Sequence, residues 1–265
     1  MMRKLLLGLG LALLPLLAHA GFDHATWDSL LRRHVHGIAN GTSTQVDYTA
    51  MAQDRATLKR YLDALAAVPR VQFDSWRPAE QLAFLINAYN AWTVELVLSR
   101  YPDLASIKDL GSLLQSPWKK RFIPLLGETR SLDNLEHGLI RGSERYAEPR
   151  IHFAVNCASI GCPALRAEAY AGDKLDAQLA DATRAFLADR SRNRLEGERL
   201  RVSLIFKWYR EDFDRARGSL GNWLAEQAPA LGLAETQAAK LKSNAMSIDF
   251  LDYDWRLNHR AGSTK

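Results

Sequence analysis

The sequence has little cysteine, because only two of its 265 residues, Cys157 and Cys162, are of this type. Two cysteines can form one disulfide, so sulfur bridges cannot replace a hydrophobic core as the main source of stability. Hydrophobic residues make up 47% of the chain, which is an ordinary fraction for a globular protein of this length. The composition therefore predicts a protein with a proper hydrophobic core rather than a disulfide scaffold.

Long apolar runs are absent after the first twenty residues. The chain begins with a basic pair, Arg3 and Lys4, an apolar run over 5–17, and a small-x-small pattern at 18–20 that signal peptidase reads. This run is shorter than the roughly 20 residues that a membrane-spanning helix needs. We therefore predict a cleaved signal peptide over residues 1–20, a periplasmic or secreted protein, and no stable membrane insertion after cleavage.

Concentrated charge and nucleotide-binding motifs are also missing. The formal net charge is +5, and the arginines are dispersed along the chain. Because nucleic-acid binding requires a concentrated basic patch, we predict no nucleic-acid partner. The sequence has no phosphate-binding loop, dinucleotide fingerprint or serine nucleophile elbow, and we predict no cofactor.

The periodicity of apolar residues predicts a chain rich in helices, with a few short strands. Helices are predicted at residues 22–38, 78–100, 132–141, 174–190 and 220–233. A further helix, with Leu58, Tyr61, Leu62 and Leu65 on one face, is predicted to end at Pro69. Two short strands are predicted around Pro124 and Gly127 within residues 116–130. Further strands are predicted at 151–155, at 194–209 as a hairpin with a continuation, and at 248–257. We predict one α+β domain over residues 21–265, helix-rich, with a small mixed or antiparallel sheet.

The segment from Arg150 to Tyr170 is the strongest candidate for a functional site, because it contains both cysteines and His152. Residues 151–155 read as a buried strand that ends in a tight loop, a common way of presenting reactive side chains. Side chains alternate along a strand, so His152 and Cys157 are expected on opposite faces. The better imidazole partner for a cysteine would then be His137.

The first functional hypothesis is a cysteine-dependent hydrolase or acyl or peptidyl transferase that acts on a peptide or protein substrate in the cell envelope. Such an enzyme needs a thiolate, an imidazole and a polar group that orients the imidazole. Cys157 is slightly favoured over Cys162 as the nucleophile, because it lies directly at the end of the predicted strand. The remaining catalytic or orienting candidates are Glu136, His137, His152, Asp133, Asn87, Asn90 and Asn156.

The second hypothesis is a binding or envelope-assembly module in which Cys157 and Cys162 form a disulfide, which an oxidising compartment favours. Asn87 and Asn90 then either hold neighbouring backbone or line a ligand pocket. Redox cycling is less favoured, since the two cysteines do not have thioredoxin-like spacing. Metal binding is also less favoured, because the adjacent residues Glu136 and His137 point about 100° apart on a helix.

Trp208 belongs to an aromatic and basic segment, residues 206–210, that allows two interpretations. It forms a ligand-binding platform, or it continues a half-buried strand in which Phe206 and Trp208 are core and Lys207 is solvated. Trp208 is kept as a candidate binding residue.

Five segments together resemble the family called Domain of Unknown Function 547. They are FLINAYNAWTVELVL (84–98), SLDNLEHGLIRG (131–142), RIHFAVNCASIGCPAL (150–165), LIFKWYREDF (204–213) and YDWRLN (253–258). The resemblance implies a family found as exported bacterial proteins and as modules of plant proteins, and it implies no catalytic role for any residue. Matching motif positions include Asn87, Tyr89, Asn90, Asp133, Glu136, His137, His152, Asn156, Cys157, Cys162, Pro163, Trp208, Asp212, Asp254 and Trp255.

Overall fold

The computed structural model describes residues 21–112, 115–143 and 145–260. The predicted signal peptide, residues 1–20, lies outside the described residues. Among the helices within those ranges, none combines the length and the apolar character that crossing a membrane requires.

The α-helices differ widely in length, and most lie on either side of a central irregular region. They are α1 (Ala25–His34), α2 (Tyr48–Gln53), α3 (Arg55–Ala66), α4 (Arg70–Asp74), α5 (Pro78–Leu98), α6 (Leu175–Ala188), α7 (Ile205–Trp208), α8 (Arg210–Arg217), α9 (Leu220–Glu226), α10 (Ala228–Leu231) and α11 (Glu235–Lys242). A π-helix, Asn134–Arg141, and a 3₁₀-helix, Pro149–Phe153, lie between α5 and α6. Shorter 3₁₀-helices are Ala39–Gly41, Ile107–Leu110 and Pro117–Lys119.

The strands form small separate sheets. They are β1 (Val35–Ile38), β2 (Ser43–Val46), β3 (Ile123–Leu125), β4 (Glu128–Arg130), β5 (Arg194–Glu196), β6 (Arg199–Ser203) and β7 (Ile248–Leu251). The pairs β1–β2 and β3–β4 are antiparallel hairpins, whereas β6 pairs antiparallel with β5 and parallel with β7. The protein is thus α+β and helix-rich, as predicted.

Helix α5 is the centre of the N-terminal half because it is apolar on almost every face. Pro78 occupies its first turn, where a missing N–H costs no hydrogen bond, and the Glu80 carboxylate accepts the Arg77 N–H at 3.1 Å. Most of its side chains are buried, including the polar Asn87 and Asn90. Burial obliges these two amides to find hydrogen-bond partners, and they find them in the site region.

The buried apolar side chains of the described residues form two clusters. The first surrounds α5, and the second is built largely from α6 to α11. The segment after Pro149 runs along the boundary, since Phe153 packs in the second cluster and Val155 in the first. The segment singled out from the sequence therefore connects the two halves of the fold.

The predicted strand at 151–155 is wrong, because the chain forms a 3₁₀-helix there. Glu148 caps its start by accepting the Arg150 N–H at 3.0 Å. A short apolar run does not distinguish a strand from a buried helical turn by periodicity alone. The alternation argument fails with the strand, and His152 and Cys157 line the same pocket.

Other boundaries differ from the predictions in smaller ways. The first helix ends at His34, because residues 35–38 pair with residues 43–46. The continuation of the predicted hairpin is helix α7, so Phe206 is buried as predicted but Trp208 is 45% exposed. The last strand ends at Leu251. The helices predicted at 78–100 and 174–190 and the hairpin at 194–202 are confirmed.

Candidate functional site

A pocket of about 340 Å³ lies where the two hydrophobic clusters meet. Its walls come from α5, the π-helix, the loop that contains the cysteines, helix α7 and the C-terminal segment. The lining side chains include Tyr89, Trp118, Asp133, Glu136, His137, His152, Cys157, Cys162, Trp208, Tyr209, Tyr253 and Trp255. Seven of the ten candidate residues from the sequence therefore lie around one cavity, and Asn87, Asn90 and Asn156 are not among its lining residues.

The two cysteines form a disulfide in the pocket wall, with the sulfur atoms 2.10 Å apart. Hydrogen bonds between the loop and the C-terminal segment hold this wall in place: the Gly161 N–H bonds to the Asp254 carbonyl at 2.8 Å, and the Ile160 N–H to the Arg256 carbonyl at 2.8 Å. A Cβ atom on Gly161 would lie 3.0 Å from the Tyr253 ring and from the Asp254 nitrogen, so a larger residue would force these neighbours to shift. The disulfide alternative, rather than a pair of free thiols, is what the structure contains.

The three asparagines hold backbone. Asn87 bonds both the carbonyl and the N–H of Tyr170, at 2.8 and 3.0 Å. Asn90 donates to the Ala154 carbonyl at 2.9 Å and accepts the Asn156 N–H at 2.8 Å. Asn156 in turn donates to the Pro163 carbonyl at 2.7 Å, across the base of the disulfide loop. These amides therefore position the loops that form the site.

Glu136 is a buried carboxylate with an aromatic donor. Only 5% of the residue is exposed, and the Tyr209 hydroxyl donates to its Oε1 at 2.6 Å. Burial, with the nearby Glu136 charge, raises the pKa of Tyr209 and the pKa of Tyr89. Both phenols therefore stay protonated at neutral pH and act as hydrogen-bond donors.

His152 is held by the Asp212 carboxylate and the Tyr209 ring. Its Nε2 lies 2.7 Å from Asp212 Oδ2, and its ring stacks on Tyr209 with centroids 3.8 Å apart. Arg141 grips the same carboxylate with contacts of 2.6 and 3.1 Å. Although burial opposes it, hydrogen bonding from His152 and Arg141 lowers the pKa of Asp212.

The imidazole of His152 is neutral at physiological pH. Burial lowers its pKa, although Asp212 acts in the opposite direction. Because the Asp212 carboxylate accepts from Nε2, the proton sits on that nitrogen and Nδ1 carries a lone pair. Among the described residues Nδ1 has no hydrogen-bond partner. His152 therefore carries one unpaired nitrogen that is buried beside the pocket.

His137, the predicted partner of a cysteine, is engaged with Arg141. Its Nδ1 lies 2.7 Å from Arg141 Nη1, and its Nε2 lies 3.8 Å from Asp133 Oδ1. The His137 and Asp133 side chains are each about 40% exposed, at the mouth of the pocket. No group of three or more His, Cys, Asp or Glu within the described ranges is arranged to hold a metal ion.

Four aromatic side chains form the outer part of the pocket. Tyr253 and Trp255 have ring centroids 4.5 Å apart, and Trp208 lies 4.9 Å from Tyr253. Trp118 completes the group, 5.8 Å from Trp255. We call these four residues the aromatic rim. Lys108 covers one face of Trp255 at 3.9 Å, which leaves Trp208 as the most exposed member.

A comparison with family models matches residues 73–187 to DUF547, described as a protein of unknown function. Residues 73–187 of this chain are therefore a DUF547 region. Comparisons with curated proteins and with solved structures gave no match. The matched range contains α5, the π-helix and both cysteines, whereas Tyr209, Asp212 and Tyr253 lie beyond it. The pocket thus combines residues from inside and outside the matched range.

Arg141, Tyr209 and Tyr253 were missed as site residues by the sequence analysis, and Asp212 was recorded only as a motif position. All four lie in segments that carry the DUF547 resemblance, so the signal was present in the sequence. Periodicity could not reveal their role, since it places side chains on faces of elements and does not bring distant elements together.

Proposed function

We propose that this DUF547 protein is an exported binding or assembly module whose pocket holds a peptide or protein segment of the cell envelope. The observation that carries the proposal is the wall of the pocket, where the two cysteines are bonded to each other beneath the aromatic rim. In this state the chain has no free thiol, because it contains no other cysteine.

The dimensions and chemistry of the pocket support a ligand with one apolar or aromatic group and one polar group. A cavity of about 340 Å³ is within the range of small-ligand sites, which are mostly apolar with a few placed polar groups. Trp208 offers an exposed ring for stacking, and the Asp133 side chain, which is 40% exposed and lines the pocket, can accept a hydrogen bond. A peptide presents an apolar side chain next to an N–H donor, which fits both.

The cysteine-dependent hydrolase or transferase stays a prediction. It requires Cys157 or Cys162 as a free thiolate, and the sulfur–sulfur bond prevents this until a reductant has acted. His152, held by Asp212, is the imidazole that the geometry offers to such a reaction, since His137 is occupied by Arg141.

The binding proposal is tested with a phage-displayed random heptapeptide library selected on the oxidised protein. Peptides that share an apolar or aromatic anchor, and whose binding quenches tryptophan fluorescence, would support it. Trp208→Ala should weaken binding of the selected peptides by about tenfold or more, since buried aromatic contacts are typical interface hot spots. Val71→Ala also trims an exposed apolar side chain, but Val71 does not line the pocket, so this variant should have no effect.

Two results would contradict the proposal. One is selected peptides that bind Trp208→Ala as well as they bind the original protein. The other is binding that appears only after reduction and is followed by cleavage of the peptide, which would favour the hydrolase instead.

A further inference from the structure

The disulfide is surrounded by hydrogen-bond donors that a structural disulfide does not need. The Cys157 N–H donates to Cys162 Sγ at 2.9 Å, and the Tyr253 hydroxyl lies 3.1 Å from each sulfur. The Ser159 hydroxyl lies 3.2 Å from the Tyr253 oxygen, 3.1 Å from Cys157 Sγ and 3.6 Å from Cys162 Sγ. Ser159 thus donates to Tyr253 while Tyr253 donates to the sulfur, which strengthens the second bond.

These donors favour a sulfur that carries negative charge. A sulfur in a disulfide is a weak acceptor, whereas a thiolate is a charged one, and hydrogen bonds to charged groups are about twice as strong as neutral ones. Arg192 adds a cation at the same loop, because its guanidinium donates to the Ile160 carbonyl at 2.6 Å. The Arg192 side chain is only 10% exposed, and its ion-pair partner Asp189 lies 3.4 Å away. The surroundings are therefore arranged to stabilise the thiolate that forms when the bond breaks.

The two sulfurs also differ in accessibility. Cys162 is 3% exposed and receives the backbone donor, whereas Cys157 is only partly buried. An attacking thiolate needs access to the sulfur it attacks, and the departing sulfur needs stabilisation as an anion. This asymmetry makes Cys157 the sulfur that is attacked and Cys162 the leaving group.

We propose that the Cys157–Cys162 disulfide is active in exchange with thiols that enter the pocket. The thiolate of the entering molecule bonds to Cys157 Sγ, the bond between the two cysteines breaks, and its electron pair goes to Cys162 Sγ. A second thiolate then attacks the sulfur of the bound molecule and releases a new disulfide, while Cys157 leaves as a thiolate. Two thiols are oxidised to one disulfide, and the protein disulfide is reduced to two thiols that take up the protons.

The test uses reduced glutathione and the oxidised mature protein at pH 7, with acid quenching and mass spectrometry. Native protein should become reduced, and trapped glutathione should be found on Cys157. Tyr253→Phe keeps the ring but removes the hydroxyl, and it should slow reduction about tenfold because one bond to the thiolate is lost. Tyr146→Phe removes a hydroxyl that bonds to Gln81 instead, and it should react at the original rate.

A second measurement uses the single-cysteine variants with oxidised glutathione. Cys162→Ser leaves Cys157 free and should form the mixed disulfide faster than Cys157→Ser, in which the remaining sulfur is buried. If glutathione reduces the urea-unfolded protein but not the native protein, the disulfide is purely structural and the proposal is wrong. Equal rates in Tyr253→Phe and Tyr146→Phe, or glutathione attached mainly to Cys162, would also overturn the proposal. Because glutathione is the only probe, the outcome does not depend on whether the pocket binds peptides.

Discussion

Asn90 provides a quantitative test of how the cysteine loop is held. Its amide bridges the Ala154 carbonyl and the Asn156 N–H, and all three residues are at most 3% exposed. Asn90→Ala leaves one buried acceptor and one buried donor unpaired, each at about 1–3 kcal/mol. We therefore expect the free energy of unfolding to fall by about 2–6 kcal/mol, measured by urea denaturation at neutral pH.

Asn87 is the matched control. It makes the same pair of bonds with the carbonyl and the N–H of Tyr170, from the same helix and at equal burial, so Asn87→Ala should lose a similar amount. Only Asn90→Ala should also change the exposure of the disulfide, seen as faster reduction by dithiothreitol under native conditions. A loss below about 1 kcal/mol for Asn90→Ala, or equal acceleration in both variants, would refute the reasoning.

Three further predictions concern stability. Tyr209→Phe removes one hydrogen-bond donor of buried Glu136, and urea denaturation should show a loss of about 1–3 kcal/mol; an unchanged midpoint would contradict this. The pKa of Asp212 is lower in the folded protein than in the unfolded chain, so the carboxylate contributes its full stability above about pH 4 and loses it as the pH falls further. Asp212→Asn should therefore be less stable than the original protein at pH 7. Its free energy of unfolding should also fall less between pH 4 and pH 2. Equal acid sensitivity would refute that assignment. Cys162→Ser removes a loop closure worth about 2 kcal/mol by chain entropy, and a reductant should then no longer change the unfolding midpoint.

The long amphipathic and apolar elements could be predicted from the sequence because local patterns determine them. Helix α5 was placed nearly to the residue, since Pro78 marks its start and Pro102 follows its end. The hairpin around Gly197 was equally clear, because glycine is typical of tight hairpin turns. In the structure Gly197 adopts the positive φ that such a turn requires.

The segment at 151–155 could not be predicted because its conformation depends on distant partners. Its apolar residues suit a strand or a buried turn equally well. Asn90, which is more than sixty residues away, takes the Ala154 carbonyl and the Asn156 N–H that a sheet would otherwise have used. Tertiary contacts therefore overrode the local pattern.

The candidate site was identified from the sequence as a set of residues but not as a geometry. Glu136, His152 and the cysteines were named, yet the expected link from His137 to a cysteine is replaced by contacts with Arg141. Which imidazole faces which acid is decided by the contacts that Arg141 of the π-helix and His152 of the 3₁₀-helix make with Asp212 of α8. Those contacts leave no periodic mark in the sequence.

The state of the two sulfurs tests the account most directly. Protein that lacks residues 1–20, purified without reductant, should be unfolded in urea with iodoacetamide and weighed by mass spectrometry. The account predicts that neither Cys157 nor Cys162 is alkylated, and that both become alkylated after prior reduction. Alkylation of both cysteines without reduction would contradict the account and return the thiol hydrolase to first place.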